Sequence, residues 1–329
     1  MPYRGATSDG RGWLLPDRDG CAWFRGGGVV GALPAAATAA WAVDGELACW
    51  AAKGGVQWRG AAGAGAVIKI PRGLEVHALG LREGVLFVGG AGPRGEVLGS
   101  VDLRATRPVY AALPVPAELR SHGKSIDGFV FDGDRLLALD DFLDPKWFLR
   151  YDVSEPRRPR YLEARPLDPH STGHVVHAAA LAGRHVAVVS TSYNHGRASV
   201  RLELFTRGGL QPRAQVSDRA WTPQWGKPDA GGREFVHVDA LGERLLVAGG
   251  REGLAFAELR VVDPEVAVAG REFVFDAACS ARLEAGLQWL RFPGLAVVRA
   301  FLIDEDRAMV SLRDEQGAHQ LRDVQLTRG

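Results

Sequence analysis

Four residues with metal-binding side chains recur at similar intervals along the sequence. His77, Asp127, His177 and His237 each stand at the start of a predicted first strand, at steps of 50, 50 and 60 residues. Imidazole and carboxylate groups are common ligands of zinc, iron and manganese. If the fold brings the four positions together, they predict a divalent-metal site. The alternative is a structural role, in which they line a polar channel or join neighbouring repeats by hydrogen bonds.

The elements that must position these residues are clearest in one module. Its strands are predicted from apolar runs at residues 126–131, 135–139 and 147–153, with an outer strand starting at Arg160. A hairpin turn is predicted at 132–134, because an Asp-Gly pair accepts positive φ. The predicted order of elements in the module is therefore strand, tight turn, strand, loop, strand, turn and strand.

Weaker copies of this module recur on both sides of it. First strands are predicted to start near residues 77, 127, 177 and 237, with fainter copies at 41–50 and 297–312 and a truncated one at 13–24. Four-stranded units at this spacing are typical of propeller blades. The sequence thus predicts an all-β fold, a single closed β-propeller of six to seven four-stranded blades over residues 1–329. In such a ring the first strands line the central channel, so the four metal-binding residues would face the axis.

Three local features complete the predicted architecture. The N-terminal strand is expected to complete the last blade by pairing with the C-terminal strand at 320–326, which would remove exposed sheet edges. Residues 1–12 are polar and glycine-rich and are expected to form a loose lead-in. The stretch 276–290 (DAACSARLEAGLQWL) has one apolar face and predicts a short helical insertion.

Residues 148–156 (FLRYDVSEP) resemble a known repeat. They are similar to bacterial β-propeller repeats of the LVIVD type, which end a blade strand with a YDVSDP-like turn, and more distantly to WD-type blades. The Gly-His and Trp-Asp dipeptides of WD blades are absent. The resemblance implies a propeller fold and binding rather than catalysis, and it assigns no functional residue.

The composition limits the classes of partner. The 40 basic and 39 acidic residues give a net charge of +1, so there is no reason to expect nucleic acid or an anionic membrane as a partner. The N-terminus has no apolar signal-peptide core, and no apolar run reaches 18 residues. The richness in Arg, Ala and Gly is typical of a bacterial coding bias, and a cytoplasmic location is expected. Cys21, Cys49 and Cys279 form no CxxC pair and are expected to be reduced packing residues.

A long predicted loop is the candidate partner-binding surface. Residues 217–233 place Trp221 and Trp225 among Pro, Gly and charged residues, and Tyr193 is predicted to extend the same patch. Aromatic residues presented on loops contribute strongly to protein binding. The alternative is that both Trp side chains pack onto the surface of the ring.

Other stretches that could do chemistry are weaker. Asp140, Asp141 and Asp144 could hold Ca²⁺, but the EF-hand spacing is absent and a solvated loop is expected. The glycine-rich stretch 61–66 and the Gly-Lys-Ser at 123–125 lack the spacing of phosphate-binding loops. No Ser or Cys stands in a recognisable nucleophile context.

The sequence therefore predicts a non-catalytic β-propeller that serves as a protein–protein interaction platform, as a component of a bacterial multi-protein system. The alternative is a metal-dependent hydrolase, lyase or isomerase with the His/Asp site on the propeller axis. In that case Arg299, predicted to take the equivalent place in the last repeat, would position an anionic substrate. Apart from the divalent metal of this alternative, no cofactor is predicted. A lectin-like sugar binder is a third hypothesis.

Overall fold

Antiparallel β-strands form nearly all of the regular secondary structure that the computed structural model describes. It describes residues 4–7, 12–18, 20–25, 28–35, 39–60, 63–65, 67–93, 97–117, 125–140, 146–168, 174–194, 197–210, 212–217, 236–250, 253–258, 266–269, 272–275 and 288–326. Within these residues no helix is long and apolar enough to cross a membrane. The chain divides into an N-terminal unit (Tyr3–Leu15 and Asp19–Ser171) and a C-terminal unit (Met1–Pro2, Pro16–Arg18 and Thr172–Gly329).

The strands of the first 168 residues lie in the N-terminal unit, apart from the end of the second strand. They are β1 Arg4–Thr7, β2 Gly12–Asp17, β3 Gly20–Arg25, β4 Gly28–Leu33, β5 Trp41–Asp44, β6 Leu47–Ala52, β7 Gly55–Gly60, β8 Gly63–Ala64, β9 Glu75–Arg82, β10 Val85–Ala91, β11 Leu98–Asp102, β12 Ala111–Ala112, β13 Ile126–Asp132, β14 Arg135–Asp140, β15 Lys146–Asp152 and β16 Arg160–Asp168. They form a nine-stranded sheet (β12-β11-β10-β9-β1-β5-β6-β7-β8), a four-stranded sheet (β13-β14-β15-β16) and a three-stranded sheet (β2-β3-β4).

The remaining strands belong to the C-terminal unit. They are β17 His174–Ala182, β18 His185–Asn194, β19 Arg197–Thr206, β20 Pro212–Ser217, β21 Val236–Leu241, β22 Arg244–Gly249, β23 Leu254–Glu258, β24 Val266–Ala269, β25 Glu272–Phe275, β26 Gln288–Leu290, β27 Ala296–Leu302, β28 Arg307–Arg313 and β29 His319–Gln325. They form sheets β17-β18-β19-β20, β21-β22-β23-β26, β24-β25 and β27-β28-β29.

The predicted module at 126–162 is confirmed, and its turns explain why. Gly133 has a φ of 55° in the two-residue turn that joins the paired residues Asp132 and Arg135. At the end of β15, Asp152 Oδ1 accepts hydrogen bonds from the backbone N–H of Ser154 at 2.9 Å and from its hydroxyl at 2.7 Å. These bonds, with one from Arg160, lower the pKa of Asp152 to about 2. The Asp-Val-Ser-Glu-Pro stretch is thus a side-chain-stabilised turn that ends the strand.

Packing between neighbouring sheets supplies the core. In the N-terminal unit Phe87 of β10 meets Phe131 of β13 edge to face, with ring centroids 5.9 Å apart, inside a cluster of buried apolar residues. In the C-terminal unit Leu246 of β22 shares a buried cluster with Val310 of β28. Each sheet thus buries an apolar face against the next, as stacked repeats must.

Arginines bind the hairpin turn of the neighbouring sheet in both units. In the N-terminal unit Arg82, at the end of β9, donates to Gly133 O and lies 2.7 Å from Asp134 Oδ1. In the C-terminal unit Arg244, at the start of β22, donates to Glu305 O and lies 3.0 Å from Asp306 Oδ1. These two hairpin turns therefore also join one repeat to the next.

Two elements of secondary structure differ from the sequence-based expectations. Residues 4–7 are not a loose lead-in, because β1 pairs in parallel with β5 and β9, the first strands of two successive hairpin units. Residues 288–290 of the predicted helical insertion form β26, which pairs with β23, while 276–287 lie outside the described residues. In both cases a partner strand distant in sequence decided the local conformation.

Closure of the ring was predicted through pairing of the N-terminal strand with the C-terminal strand. Within the C-terminal unit, β29 pairs with β28, and Ser311 Oγ donates to Pro16 O at 2.7 Å. This bond joins the end of β2 to the last sheet. The predicted pairing itself stays a prediction.

Candidate functional site

Three of the four predicted metal-binding residues occupy one recurrent structural position, a one-residue β-bulge in a first strand. His77 is the extra residue between paired positions 76 and 78, Asp127 between 126 and 128, and His177 between 176 and 178. In each strand five ladder pairs separate the bulge from the hairpin turn. A bulge re-aims the side chain that it carries, so these residues are structurally equivalent, as the sequence predicted.

His237 and Arg299 do not share this position, which corrects the predicted equivalence. His237 pairs directly with Ala248 in the fifth ladder pair from the turn. Arg299 pairs with Ser311, and the bulge residue of β27 is Val298. Counted from the hairpin turn, His237 lies one residue closer to the turn than the bulge residues of β9, β13 and β17 do. Arg299 lies one residue closer to the turn than the bulge residue of its own strand.

His77 and Asp127 are joined directly in the N-terminal unit. His77 Nδ1 lies 2.7 Å from Asp127 Oδ1, and only 6% of each residue is exposed. The buried hydroxyl of Ser125 donates to Asp127 Oδ2. On the other side of the imidazole, His77 Nε2 lies 3.5 Å from Glu75 Oε1, whose side chain is 69% exposed. The result is a hydrogen-bonded chain from Ser125 through Asp127 and His77 toward a solvent-exposed carboxylate.

The surroundings of His77 favour its charged form. Burial lowers the pKa of His77, but the hydrogen bond and charge of Asp127, together with Glu75, outweigh burial and raise that pKa above its ordinary value. A neighbouring carboxylate stabilises an imidazolium in this way. The group therefore holds a proton at Nδ1 toward Asp127, while Nε2 faces Glu75.

This arrangement limits the chemistry that the cluster can do. In a Ser-His-Asp triad the hydroxyl bonds to the imidazole, whereas Ser125 bonds to Asp127, so Ser125 is not an activated nucleophile. The direct contact between Nδ1 and Oδ1 leaves no space for an ion between these two atoms. Nε2 and Glu75 could ligate a metal, with Asp127 orienting the ring as an outer-sphere partner. Among the described residues, no three His, Cys, Asp or Glu side chains are grouped to hold a metal.

The other predicted site residues lie in the C-terminal unit or outside the described residues. The His237 ring packs against Phe301, with centroids 5.0 Å apart, and Arg299 is 5% exposed. The backbones of His177 and Tyr193 lie in β17 and β18. Trp221 and Trp225 lie outside the described residues, as do Asp141 and Asp144, whereas Asp140 is buried at the end of β14. The four-residue metal ring and the Trp loop therefore stay predictions.

Sequence reasoning missed Ser125 and Glu75. Each stands two residues before a predicted ligand, Ser125 before Asp127 and Glu75 before His77. In a strand that spacing places two side chains on the same face, which applies to Glu75 and His77 in β9, whereas Ser125 lies just before β13. The spacing became informative only once the direct bond between His77 and Asp127 was known.

Comparison with known proteins shows the class of fold. No family model matches the sequence, and no curated protein matches it. The chain is similar to Kuenenia stuttgartiensis hydrazine synthase, with 11% identity and a TM-score of 0.66 over 99% of this chain and 96% of that one. It is also similar to the β-propeller domain of Cps50 (Swd1) from Myceliophteria thermophila, with 14% identity and a TM-score of 0.59 over 97% of each chain.

These likenesses define the fold and nothing finer. The chain has the all-β, multi-sheet architecture of β-propeller proteins, as its module and repeat spacing predicted. One of the two neighbours is named as an enzyme and the other as a propeller domain. The fold therefore leaves catalysis and binding equally open, and the choice between them depends on the surface and sites of this chain.

Proposed function

We propose that this β-propeller is a protein-binding platform that takes an extended segment of a partner protein onto the free edge of β4. The observation that carries the proposal is that β4 ends a three-stranded sheet with an uncharged, exposed edge. Strand addition to a free sheet edge is a common mode of peptide recognition, with affinity from main-chain hydrogen bonds and specificity from alternate side chains.

The exposed residues of β4 suit a strand-shaped ligand. Val29 is 62% exposed and Val30 is 53% exposed. Val30 is the bulged residue opposite the step from Trp23 to Phe24. A Cβ placed on Gly31 would meet no atom within 4 Å, so the sheet face is open at this residue. Near the end of β4, Arg59 Nη1 donates to Ala32 O at 3.5 Å, so a bound strand would have to accommodate or displace this side chain there. Two adjacent exposed valines in one short strand are an apolar anchor of the kind that binding edges present.

Most other outer strands of the described sheets are shortened or charged. The four-residue β24 (VAVA) shares the lack of charge with β4, and β4 itself has the bulge at Val30 as its only such protection. Natural proteins protect sheet edges by shortening them or by charging them. Two outer strands, β8 and β12, have two residues each, and β26 has three. Outer strands β16, β20 and β29 carry charged residues. β4 has six residues and neither a charge nor a proline.

The platform proposal includes an arrangement of all the sheets. We propose that the two hairpin units of the nine-stranded sheet and the five separate sheets of three or four strands are seven blades of a closed ring. The first and last blades would have three strands each. We also propose that the protein works in the bacterial cytoplasm as a component of a multi-protein system, with Trp221, Trp225 and Tyr193 as a second contact surface.

The edge proposal predicts a specific loss of binding. Extended peptides selected from a displayed random library against the whole protein should bind at least about tenfold more weakly to Val29→Lys/Val30→Lys, since a lysine on an edge opposes strand addition. Val109→Lys is the matched control, because Val109 is 70% exposed and lies outside every described strand. Hydrogen exchange should show new protection in β4 when peptide is bound.

Three outcomes would contradict the edge proposal. Selected peptides could bind the double-lysine variant as well as the unchanged protein. Bound peptide could protect other strands and lose affinity in Trp221→Ala/Trp225→Ala, which would move the platform to the Trp loop. Sedimentation velocity could instead show a dimer that Val29→Lys/Val30→Lys dissociates, which would make a second copy of the chain the occupant.

The second candidate is the metal-dependent enzyme, and the orientation of His77 by Asp127 favours it. Protein purified without an affinity tag would then retain near-stoichiometric zinc, iron or manganese in elemental analysis. Replacement of His77 by alanine would remove the metal, and replacement of the exposed Glu155, far from this cluster in sequence, would not. On the platform proposal the metal content of unchanged protein and of His77→Ala is equal.

A further inference from the structure

A cleft in the N-terminal unit combines an apolar floor with a cationic rim. It has a volume of 790 Å³ and lies between the hairpin that joins β6 to β7 and the segment that leads into β9. Its lining comes from residues 39–40, 51–55 and 69–76. No lining residue lies on β4, so the cleft is independent of the proposed binding edge.

The charge of the rim is concentrated relative to the chain as a whole. Three cations, Lys53, Lys69 and Arg72, line the cleft, and Glu75 is its single acidic residue. The chain overall is nearly balanced, with 40 basic and 39 acidic residues, and two of its five lysines are on this rim. Cations gathered in a concave surface focus the field and attract anions.

The second feature of the three cations is their lack of recorded ionic contacts within the described residues. Each is exposed, and none forms an ion pair or side-chain hydrogen bond with any residue in the part of the chain that the structure describes. Arg82, by contrast, is held by the turn at Gly133 and Asp134. Cations that form no ion pair with a described residue, the neighbouring Glu75 included, can bind an anion without first breaking such a pair.

The apolar residues at the bottom of the cleft and the turns at its edge indicate the other chemical groups of the ligand. Leu74 and Val76 line the cleft, are 7% and 9% exposed, and belong to a buried apolar cluster that also contains Ile68. Gly54 has a φ of 87°, and a Cβ there would meet no atom within 4 Å. The turn that ends at Leu74, whose N–H bonds to Pro71 O at 3.1 Å, holds Arg72 at the rim. The cleft therefore suits a molecule with one apolar part and one multiply charged anionic group.

We infer that this cleft binds a small organic phosphate, with Lys53, Lys69 and Arg72 around the phosphate and the apolar part on the floor. A phosphate group carries between one and two negative charges near neutral pH and three acceptor oxygens, which matches three cations better than a single carboxylate does. An arginine can also bind two of those oxygens at once. Ligands of this size and polarity are commonly held in clefts of several hundred Å³.

The cleft adjoins the His77 cluster through one residue. Glu75 lines the cleft, and its Oε1 lies 3.5 Å from His77 Nε2. An anion on the rim would repel the Glu75 carboxylate and change its position relative to the imidazole. The ring resonances of His77 are thus a built-in reporter of occupancy that does not depend on any enzymatic activity.

The test is titration of the whole protein with phenyl phosphate, followed by calorimetry and by the histidine NMR signals. We expect saturable binding that shifts the His77 resonances, with benzoate and benzyl alcohol binding at least about tenfold more weakly. Inorganic phosphate should compete, but less tightly, because it lacks the apolar part. The double variant Lys69→Gln/Arg72→Gln should lose about thirtyfold or more in affinity, given the strength of charge-assisted hydrogen bonds.

Arg107→Gln is the matched control, since Arg107 is an exposed arginine of the same unit that lies outside the cleft and forms no ion pair with any residue that the structure describes. It should bind phenyl phosphate as the unchanged protein does. An equal loss in Arg107→Gln would show diffuse charge attraction, and equal binding of benzoate would overturn the phosphate assignment. No binding below about 10 mM phenyl phosphate, which corresponds to less than about 3 kcal/mol, would overturn the site itself.

Discussion

Replacing Asp127 by alanine is expected to lower the free energy of unfolding by about 3 kcal/mol, the scale for removing one partner of a buried charged pair. The change leaves the His77 imidazole without its acceptor at 2.7 Å and the Ser125 hydroxyl without the carboxylate to which it donates. Denaturant unfolding at pH 5.5 and at pH 9 measures the effect. Asp134→Ala is the exposed comparison, because Asp134 is 70% exposed and pairs with Arg82, and it should cost at most about 1 kcal/mol.

The loss in Asp127→Ala should depend on pH with a defined sign. The pKa of His77 is raised in the folded protein, so the protonated ring stabilises the fold fully below its unfolded pKa of about 6.5. That contribution disappears as pH rises through the folded pKa, and the cost of Asp127→Ala is therefore larger at pH 5.5 than at pH 9. Asp127→Asn keeps an acceptor but removes the charge, and should flatten this dependence with a smaller loss. Equal losses at the two pH values would rule out the charged pair.

Replacing Gly90 by alanine is the second large effect, with an expected loss of about 3 kcal/mol or more, as for overpacking against atoms that cannot move. A Cβ on Gly90 would lie 1.8 Å from the carbonyl oxygen of Glu75 and 3.2 Å from the Cα of Val76. These are backbone atoms of β9 beside the bulge that carries His77. The Gly90 N–H also donates to Val97 O at 3.0 Å, so the strand cannot shift without losing ladder bonds.

The matched control for Gly90→Ala is Gly133→Ala. Gly133 has a φ of 55°, but a Cβ there meets no atom within 4 Å, so its cost is conformational alone, about 1–2 kcal/mol. Comparing the thermal unfolding of the two variants separates the steric clash expected in Gly90→Ala from the backbone strain expected in Gly133→Ala. The NMR signals of His77 should shift in Gly90→Ala only. A Gly90→Ala variant at least as stable as Gly133→Ala would show that the close approach of β9 and β10 at the bulge is not a constraint.

Local chemistry explains why much of the sheet architecture was readable from the sequence. The turn at Gly133 and the turn after Asp152 are set by residues within four positions of each other, through positive φ and side-chain hydrogen bonds to the backbone. The same order of strands and turns recurs at a spacing of about 50 residues, and this repetition predicted an all-β repeat protein. Failures occurred where no local signal existed, since β1 and β26 owe their conformation to strands distant in sequence.

For the candidate site, too, some features could be predicted from the sequence and others required the tertiary structure. The sequence by itself determined that His77, Asp127 and His177 hold one recurrent position, because repeat spacing is a property of the chain. Only the tertiary structure decided that this position is a bulge, that His237 is displaced from it by one residue, and that His77 bonds to Asp127 across two sheets. Register and sheet-to-sheet packing depend on atoms that lie many residues apart, and a single-residue shift in register is enough to move a side chain to another face.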